Sequence, residues 1–387
     1  MRVGLFHNRY RERGGEDVAF DVEVDLLSKA GHQVEVFAVD NREEIGTSAA
    51  AALRAGLRAR WNPETVRRVE AFLATRALDV AHVHNFFPVL SPSLHATLHA
   101  RGVPVVQTLH NYRLLCANGL MLRAGRSCED CVARGPWNAV RHACYRGSRL
   151  QTAVWSELTA LHRRRGTWRD CVDLFTVPSA FARGKLLQAD IPPQRLRVLP
   201  LPVADPGPPQ TVARDGALFV GRLSPEKGVD LLLQAWRRMG GYPLHIVGTG
   251  PEEPRLRALA RDLPGVHFAG GLAHDAVLRA MADTAFVVLP SRWHETFGLA
   301  AVEAMACGRG VVVPRATALA DLVEPGRNGL LFEMGDVGDL ARACAALAGD
   351  AALARELGAQ ARAHYEDHFT PERCIGRFEE VLASVSR

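Results

Sequence analysis

The stretch "ALFVGRLSPEKGVDLLLQAWRRMGGYPLHIVGTG" (217–250) reads as strand, helix, strand. Its two apolar runs, "ALFVG" (217–221) and "PLHIVG" (243–248), are short and continuous, the pattern of strands covered on both faces in a parallel sheet. Residues 228–239 between them carry apolar side chains at helical spacing. Strand, crossing helix, strand is the unit from which doubly wound α/β sheets are built.

The same alternation extends outward from this unit. Downstream lie "VHFAG" (266–270), "AFVVLP" (285–290), "GVVVP" (310–314) and "GLLF" (329–332), with helical patterns at 252–263, 298–307 and 337–348. Upstream lie "RVGLF" (2–6), "QVEVFAV" (33–39), "VAHVH" (80–84), "VPVVQTL" (103–109), "DLFTV" (173–177) and "LRVLPL" (196–201), with a helical pattern at 16–30. The two sets are separated by "PLPVADPGPP" (200–209), in which five of ten residues are Pro, so this stretch reads as an interdomain linker. The expected fold class is therefore α/β, with two Rossmann-like doubly wound domains at 1–200 and 210–365. A last helix, within 366–387, has the length to pack back on the first. In such sheets ligands sit outside the carboxyl ends of the strands, so two domains facing across a cleft would hold a ligand there.

Composition excludes several classes. With 387 residues, 48% hydrophobic and 23% charged, the chain resembles ordinary globular domains rather than a disordered or fibrous protein. No apolar run approaches the roughly 20 residues of a membrane span, and "MRVGLFHNRY" has no h-region of a signal peptide, so a cytoplasmic protein is expected. Net charge is +5, unevenly placed: residues 101–170 hold 12 Arg and 4 acids, +8, leaving −3 for the rest. Such a segment can meet an anionic surface or substrate, or simply be a solvated face. Arg is the default cation here, 44 against 3 Lys, which makes a Lys within a motif mildly informative.

Three segments at strand ends carry the chemistry. "VGRLSPEKG" (220–228) places Arg222 and Lys227 at a strand-to-helix turn, where two cations beside a helix N-terminus form a clamp for a diphosphate. "VGTGPEE" (247–253) puts Gly248 and Gly250 at the next strand end, a weak signal equally read as a tight turn. "PSRWHETFGLAAVEAMACG" (290–308) has Glu295 in a loop, Gly298 opening a helix and Glu303 in its second turn. The amides of Phe297, Gly298, Leu299 and Ala300 would lack intrahelical acceptors and suit a phosphate or sugar oxygen. The two carboxylates suit sugar and ribose hydroxyls.

Glu-x7-Glu within "PS…E.FGL..VEAMACG", preceded by "VGRL…KG", resembles the retaining glycosyltransferases of family 4, which have the two-domain GT-B fold. The resemblance implies that Arg222 and Lys227 bind the donor diphosphate, that Glu303 holds the nucleoside ribose and that Glu295 contacts the donor sugar. It implies a glycine loop facing the diphosphate, matched by Gly14 and Gly15 in "RYRERGGEDV" (9–18). It also implies a histidine near the reacting carbon, matched by His110 in "TLHN" (108–111). His84 in "HVHN" is a candidate acceptor-side group. Departures follow the second glutamate's helix: Gly310 stands where many members have Pro, Thr317 and Ala318 replace two glycines, and Asp321 replaces a Glu.

Outside the family's common core, Cys116, Cys128, Cys131 and Cys144 fall at Cys-x11-Cys-x2-Cys-x12-Cys. This spacing suits a structural zinc site, with reduced thiols or an iron–sulfur centre as other readings. Residues 53–68 carry five Arg and Trp61 and read as a peripheral membrane contact at the inner face or as a solvated helix. The expected activity is transfer of a sugar from a nucleotide diphosphate donor, UDP first and GDP second, to an acceptor hydroxyl. With no Asp-x-Asp, it needs no catalytic cofactor or metal at the diphosphate. The rivals are a nucleotide-sugar epimerase of the same fold and a zinc-dependent nucleic-acid-binding protein. The complete donor clamp argues against nucleic acid as partner.

Overall fold

The short β-branched runs form two six-stranded sheets, every pairing within them parallel. The computed structural model describes residues 1–11, 14–45, 49–209 and 216–386. The chain divides into two units. One comprises Met1–Met121, Cys128–Pro202 and Cys374–Arg387, the other Leu122–Ser127 and Val203–Arg373.

In the first unit the strands are β1 (Arg2–Arg9), β2 (Gln33–Asp40), β3 (Val80–Val83) and β4 (Val105–Thr108). The chain then forms a small hairpin, β5 (Leu122–Arg123) and β6 (Arg126–Ser127), whose residues fall in the second unit, before the first unit resumes with β7 (Leu174–Val177) and β8 (Leu196–Val198). The sheet order is β2-β1-β3-β4-β7-β8. The chain leaves β1 to one side for β2, then returns to the other side for β3. The loops after β1 and β3 therefore diverge and leave a crevice at their carboxyl ends.

The second unit repeats this with β9 (Ala217–Val220), β10 (Leu244–Val247), β11 (Val266–Gly270), β12 (Phe286–Val288), β13 (Gly310–Pro314) and β14 (Gly329–Phe332). Their order is β11-β10-β9-β12-β13-β14, so the reversal falls between β9 and β12.

Each sheet is covered by its crossing helices. In the first unit Val3, Leu5, Val80, Val106 and Leu174 of the strands meet Phe20 and Leu27 of the helix Gly15–Lys29. The last helix, Pro371–Ala383, adds Cys374, Phe378, Val381 and Leu382, a stripe at i, i+4, i+7 and i+8, to that same core. In the second unit Trp236 is fully buried on the helix Val229–Trp236 and its indole N–H donates to the Tyr242 carbonyl at 2.7 Å.

The Pro-rich stretch is not a loose tether. Val203 donates its amide to Phe369 and accepts from the Tyr365 hydroxyl, both at 2.9 Å. Arg362 pairs with Asp205 at 2.8 Å and caps the Ala306 carbonyl at 2.6 Å, tying the linker to the end of the helix Leu299–Ala306.

Several imidazoles of the first unit are fully enclosed. Burial holds His84 and His95 down at about 4 and His110 well below its ordinary value. In the unfolded chain these groups charge near 6.5, whereas in the fold His84 and His95 stay neutral to about pH 4. The unfolded state then binds the extra protons, and stability falls as pH drops through that window. For His84 and His95 the loss is on the order of 3 kcal/mol each. Melting temperature measured from pH 7 to pH 4 should fall steeply. His95→Gln, which removes one titrating ring, should flatten the slope by about one proton. An unchanged slope in that variant would contradict the assignment.

Candidate functional site

The turns after β9 and β12 converge at the strand-order reversal of the second sheet. Lys227 Nζ, in the 3-10 turn Pro225–Lys227, donates to Glu295 Oε1 at 2.6 Å. Ser291 Oγ donates to the same oxygen at 2.8 Å. Lys227 also lies 5.5 Å from the centroid of the Trp293 ring, a cation–π contact that with the carboxylate fixes the ammonium in direction. A second link joins the loops: the Arg292 amide donates to the Glu226 carbonyl at 2.8 Å, and the Arg292 guanidinium pairs with Asp230 at 3.0 Å. Arg222 lies in the loop immediately after β9. The indole N–H of Trp293 is buried with no hydrogen-bond partner, a donor facing no protein acceptor.

Glycines allow the loops to approach this closely. Gly228 has φ +68°, and a Cβ there would meet the Pro290 carbonyl oxygen at 2.1 Å. Beyond the strand ends the backbones of 220–223 and 247–252 remain zipped: Gly221 donates to Val247 at 3.0 Å, Leu223 to Thr249 at 2.9 Å, and Glu252 to Leu223 at 3.0 Å. A Cβ at Gly248 would lie 1.9 Å from the Gly221 carbonyl oxygen, and one at Gly250 2.3 Å from that of Leu223. The Gly-x-Gly pair thus has a sufficient structural cause, backbone against backbone, whatever it does for a ligand.

Gly298, at φ +109°, is the N-cap of the helix Leu299–Ala306, and Glu295, Phe297 and Gly298 lead directly into it. A side chain at Gly298 would strike Leu319 Cδ2 at 2.2 Å. Leu319 follows Thr317 and Ala318, the residues that replace the expected glycines. Both are fully buried, and Thr317 Oγ1 accepts from the Leu319 amide at 3.2 Å. The substituted segment therefore supports the start of the site helix. The first amides of that helix, including those of Leu299 and Ala300, have no preceding helical carbonyl. Glu303 lies one turn further on. Burial pushes its carboxyl up, and His274 Nδ1 lies 3.8 Å from its Oε1. A half-desolvated carboxylate of this kind accepts strongly from a hydroxyl.

In the first unit the polar residues also gather where strand order reverses, at the ends of β1, β3 and β4. His7 Nε2 contacts Asp17 Oδ1 at 2.9 Å. Asp17 Oδ2 in turn accepts the Gly14 amide at 2.9 Å, closing the N-terminus of the helix that Gly14 caps and Gly15 begins. Of that glycine loop, Glu12 and Arg13 lie outside the described residues. A Cβ at Gly14 would meet nothing within 4 Å, so the loop leaves open space there.

Glu23, one helical turn and a half beyond Asp17, holds two imidazoles: His82 Nδ1 is hydrogen-bonded to Oε1, and His84 Nε2 lies 3.1 Å from Oε2. Burial alone would raise the Glu23 carboxyl, but its electrostatic and hydrogen-bond contacts with the His82 and His84 rings more than reverse this and hold it ionised. The chain continues from His84 Nδ1 to His110 Nε2 at 3.0 Å. His84 and His110 are thus neutral rings in a line that ends on a carboxylate. Glu23, His82 and His84 bring three potential metal-ligand atoms within 4.8 Å of one another. However, His82 Nε2 is also engaged by Thr108 at 2.6 Å, so both ring nitrogens of His82 are already hydrogen-bonded.

The structure therefore brings together Lys227, Glu295 and Gly298 in one unit, and His84, His110 and the Gly14–Gly15 loop in the other. Sequence reasoning missed His7, Asp17, Glu23 and His82. The signal was present as polar residues interrupting apolar runs near strand ends, in "FHNR" and "HVHN".

Comparison with known proteins agrees with this geometry. Residues 23–205 match the model of Glycosyltransferase Family 4, and residues 214–350 that of Glycosyl transferases group 1. The chain is 31% identical to a D-inositol 3-phosphate glycosyltransferase of Acidothermus cellulolyticus, over 82% of this chain and 70% of that one. It is 30% identical to a GDP-mannose-dependent alpha-mannosyltransferase of Mycolicibacterium smegmatis, over 94% and 92%. The match to an uncharacterized glycosyltransferase of Methanocaldococcus jannaschii, 31% identical, spans about half of each chain, 44% and 48%. Among solved structures, a sucrose-phosphate synthase from Thermosynechococcus elongatus superposes with a TM-score of 0.75 at 19% identity, covering 99% of this chain and 98% of that one. Anabaena HepE in complex with UDP-glucose gives 0.70 at 17%, covering 99% of each chain. The chain has the GT-B fold and belongs to glycosyltransferase family 4.

Proposed function

We propose that this chain is a retaining glycosyltransferase that moves a hexose from a nucleoside diphosphate donor to an acceptor hydroxyl without a metal at the diphosphate. The observation that carries the reading is the Lys227–Glu295 pair, set at the strand-order reversal beside the N-terminus of the helix Leu299–Ala306. As the bond from the anomeric carbon to the donor phosphate lengthens, charge develops on the diphosphate. Arg222, Lys227 and the helix amides would stabilise it from positions fixed before reaction. The acceptor oxygen bonds to that carbon on the face the phosphate leaves, and a leaving-group oxygen takes the acceptor's proton. No protein nucleophile is then needed, which fits a Glu295 already engaged by Lys227 and Ser291. Glu303 is assigned to the ribose hydroxyls. His110, kept neutral by burial, would hydrogen-bond a sugar hydroxyl without carrying a charge.

A UDP-sugar is the first reading of the donor, supported by the UDP-glucose held by Anabaena HepE. A GDP-sugar is the second, supported by the name of the mycobacterial relative that matches nearly end to end. A thermal-shift panel of nucleotide sugars tests both. At a hundred times its dissociation constant the true donor should stabilise the fold by about 2.7 kcal/mol. No shift with any nucleotide or nucleotide sugar would overturn the reading. Among the basic residues 53–68, Arg60 pairs with Glu157 at 3.0 Å and Arg68 with Glu44 at 2.5 Å.

Lys227→Ala and Arg222→Ala should each lower turnover by about a hundredfold or more, the effect of deleting one preorganised charge stabiliser. Both lie on turns outside the core, so circular dichroism should be unchanged. Near-normal turnover by the folded double variant would place the diphosphate elsewhere.

Initial transfer rates should be equal with EDTA present from the start and with added Mg²⁺ or Mn²⁺. Strict and reversible dependence on either ion would show that the cations of the turn do not carry the diphosphate charge alone.

A further inference from the structure

Residues 116–144 form a lobe with almost no core of its own. Its regular elements are the hairpin β5–β6, with two residues in each strand, the five-residue helix Asp130–Arg134 and the four-residue helix Asn138–Arg141. From Arg123 to Arg149, Ala139 alone is buried. The backbone is also strained: Met121, Ala124 and Ala143 each take φ +50°, and Arg146 takes +53°. For residues with a Cβ this conformation costs roughly 1–2 kcal/mol each. Within 116–144 the buried apolar side chains are Ala117, Met121, Leu122 and Ala139, a small core for a strained segment of this length, which needs another source of order.

The four cysteines supply a candidate. None of them is in a disulfide, and all four are partly buried in the first unit. They come from four separate pieces of the lobe: Cys116 from the turn after Tyr112, Cys128 from the residue after the hairpin, Cys131 from the first short helix and Cys144 from the turn after the second. Cys131 lies within electrostatic reach of Cys116, Cys128 and Cys144 together, so the four side chains share one neighbourhood. Backbone amides already point at the sulfurs, those of Met121, Asn118 and Gly119 at Cys116 and that of Ala139 at Cys131. Amides directed at sulfur stabilise thiolate rather than thiol. Local backbone bonds hold the cysteines themselves: the Cys128 amide donates to Met121 at 2.8 Å and the Cys144 amide to Ala139 at 3.2 Å. Lys185 clamps the lobe to the helix Ala180–Leu186 through Glu129 at 2.5 Å.

We propose that Cys116, Cys128, Cys131 and Cys144 bind one structural Zn²⁺ as thiolates, and that this ion replaces the missing core of the lobe. Four sulfur donors with no oxygen or nitrogen ligand among them fit a closed tetrahedral site for a thiophilic ion. The sulfurs are less tightly gathered than the Glu23–His82–His84 trio, whose ligand atoms lie within 4.8 Å of one another. Binding releases the thiol protons, including the one Cys116 donates to Asn118 Oδ1 at 3.0 Å. The resulting tetrathiolate carries two negative charges, and Arg123, Arg126, Arg134, Arg141 and Arg146 of the same segment offset them.

The test uses the full chain purified without a histidine tag. Elemental analysis should find about one zinc per chain. The same should hold for Cys171→Ser, whose cysteine lies outside the lobe. Titration of the wild type with an organomercurial should release that zinc in step with the reaction of four thiols. Cys131→Ser should lose the metal and open 116–144 to hydrogen exchange, while the second unit keeps its protection. Should that variant fail to fold, the mercurial titration of the wild type decides alone. Zinc far below one equivalent with four freely reacting thiols in the folded protein would overturn the site. So would iron with acid-labile sulfide, disulfides among the four, or full zinc retention in a folded Cys131→Ser.

Discussion

The reversal of strand order in each parallel sheet is the constraint on which the rest of the structure depends. A parallel sheet sends every strand's carboxyl end to the same edge. Where successive crossovers leave in opposite directions, the loops at that edge separate and cannot cover it. Backbone amides at helix starts are left facing this gap, and polar side chains can stand there at little cost. In the first unit the gap lies between β1 and β3, and in the second between β9 and β12. Every residue assigned a chemical role in either unit is on a loop or strand end at such an edge or on the first turns of the helix that follows. The apolar strand middles beneath them hold the edge in place.

The two units use the same gap with opposite electrostatics. In the second, the cations of one turn meet the carboxylate of another, and Lys227 is directed by Glu295 and Trp293 rather than left to sample solvent. This costs little desolvation because the pair is only partly covered. In the first, burial forbids loose charge: His84 and His110 are kept neutral, and the carboxylates of Asp17 and Glu23 are each tied to imidazoles. A cationic edge suits a diphosphate, and a neutral edge of fixed imidazoles suits hydroxyl groups.

How much of this was legible depended on whether the cause was local. The strands were legible because continuous runs such as "AFVVLP" and "GVVVP" have few alternatives, and each of the twelve runs contains an observed strand. Lys227 and Glu295 were legible from their motifs, but their direct contact was not, since 68 residues separate them and only the adjacency of β9 and β12 joins them. The Glu23–His82–His84–His110 line was illegible for the same reason. A lone His in a strand reads as an ordinary residue until topology places β1, β3, β4 and the first helix side by side. The glycines of "VGTG" were legible as a turn, whereas the close approach that requires them belongs to a neighbouring loop.

Arg-rich composition takes on a specific meaning in the cysteine lobe. Elsewhere the arginines largely pair with nearby acids, as Arg2 does with Asp79 and Arg101 with Glu70. Residues 123–149 hold six Arg against only Glu129 and Asp130, and Glu129 is taken by Lys185. A surface with this excess of Arg over acids, strained backbone and one buried alanine should not hold a single conformation by its own contacts. An anionic centre inside the lobe answers both needs at once: it supplies the missing negative charge, and it fixes four backbone positions without requiring apolar volume. The charge excess and the cysteine spacing, which read as unrelated oddities along the sequence, are then two sides of one solution to the absence of a core.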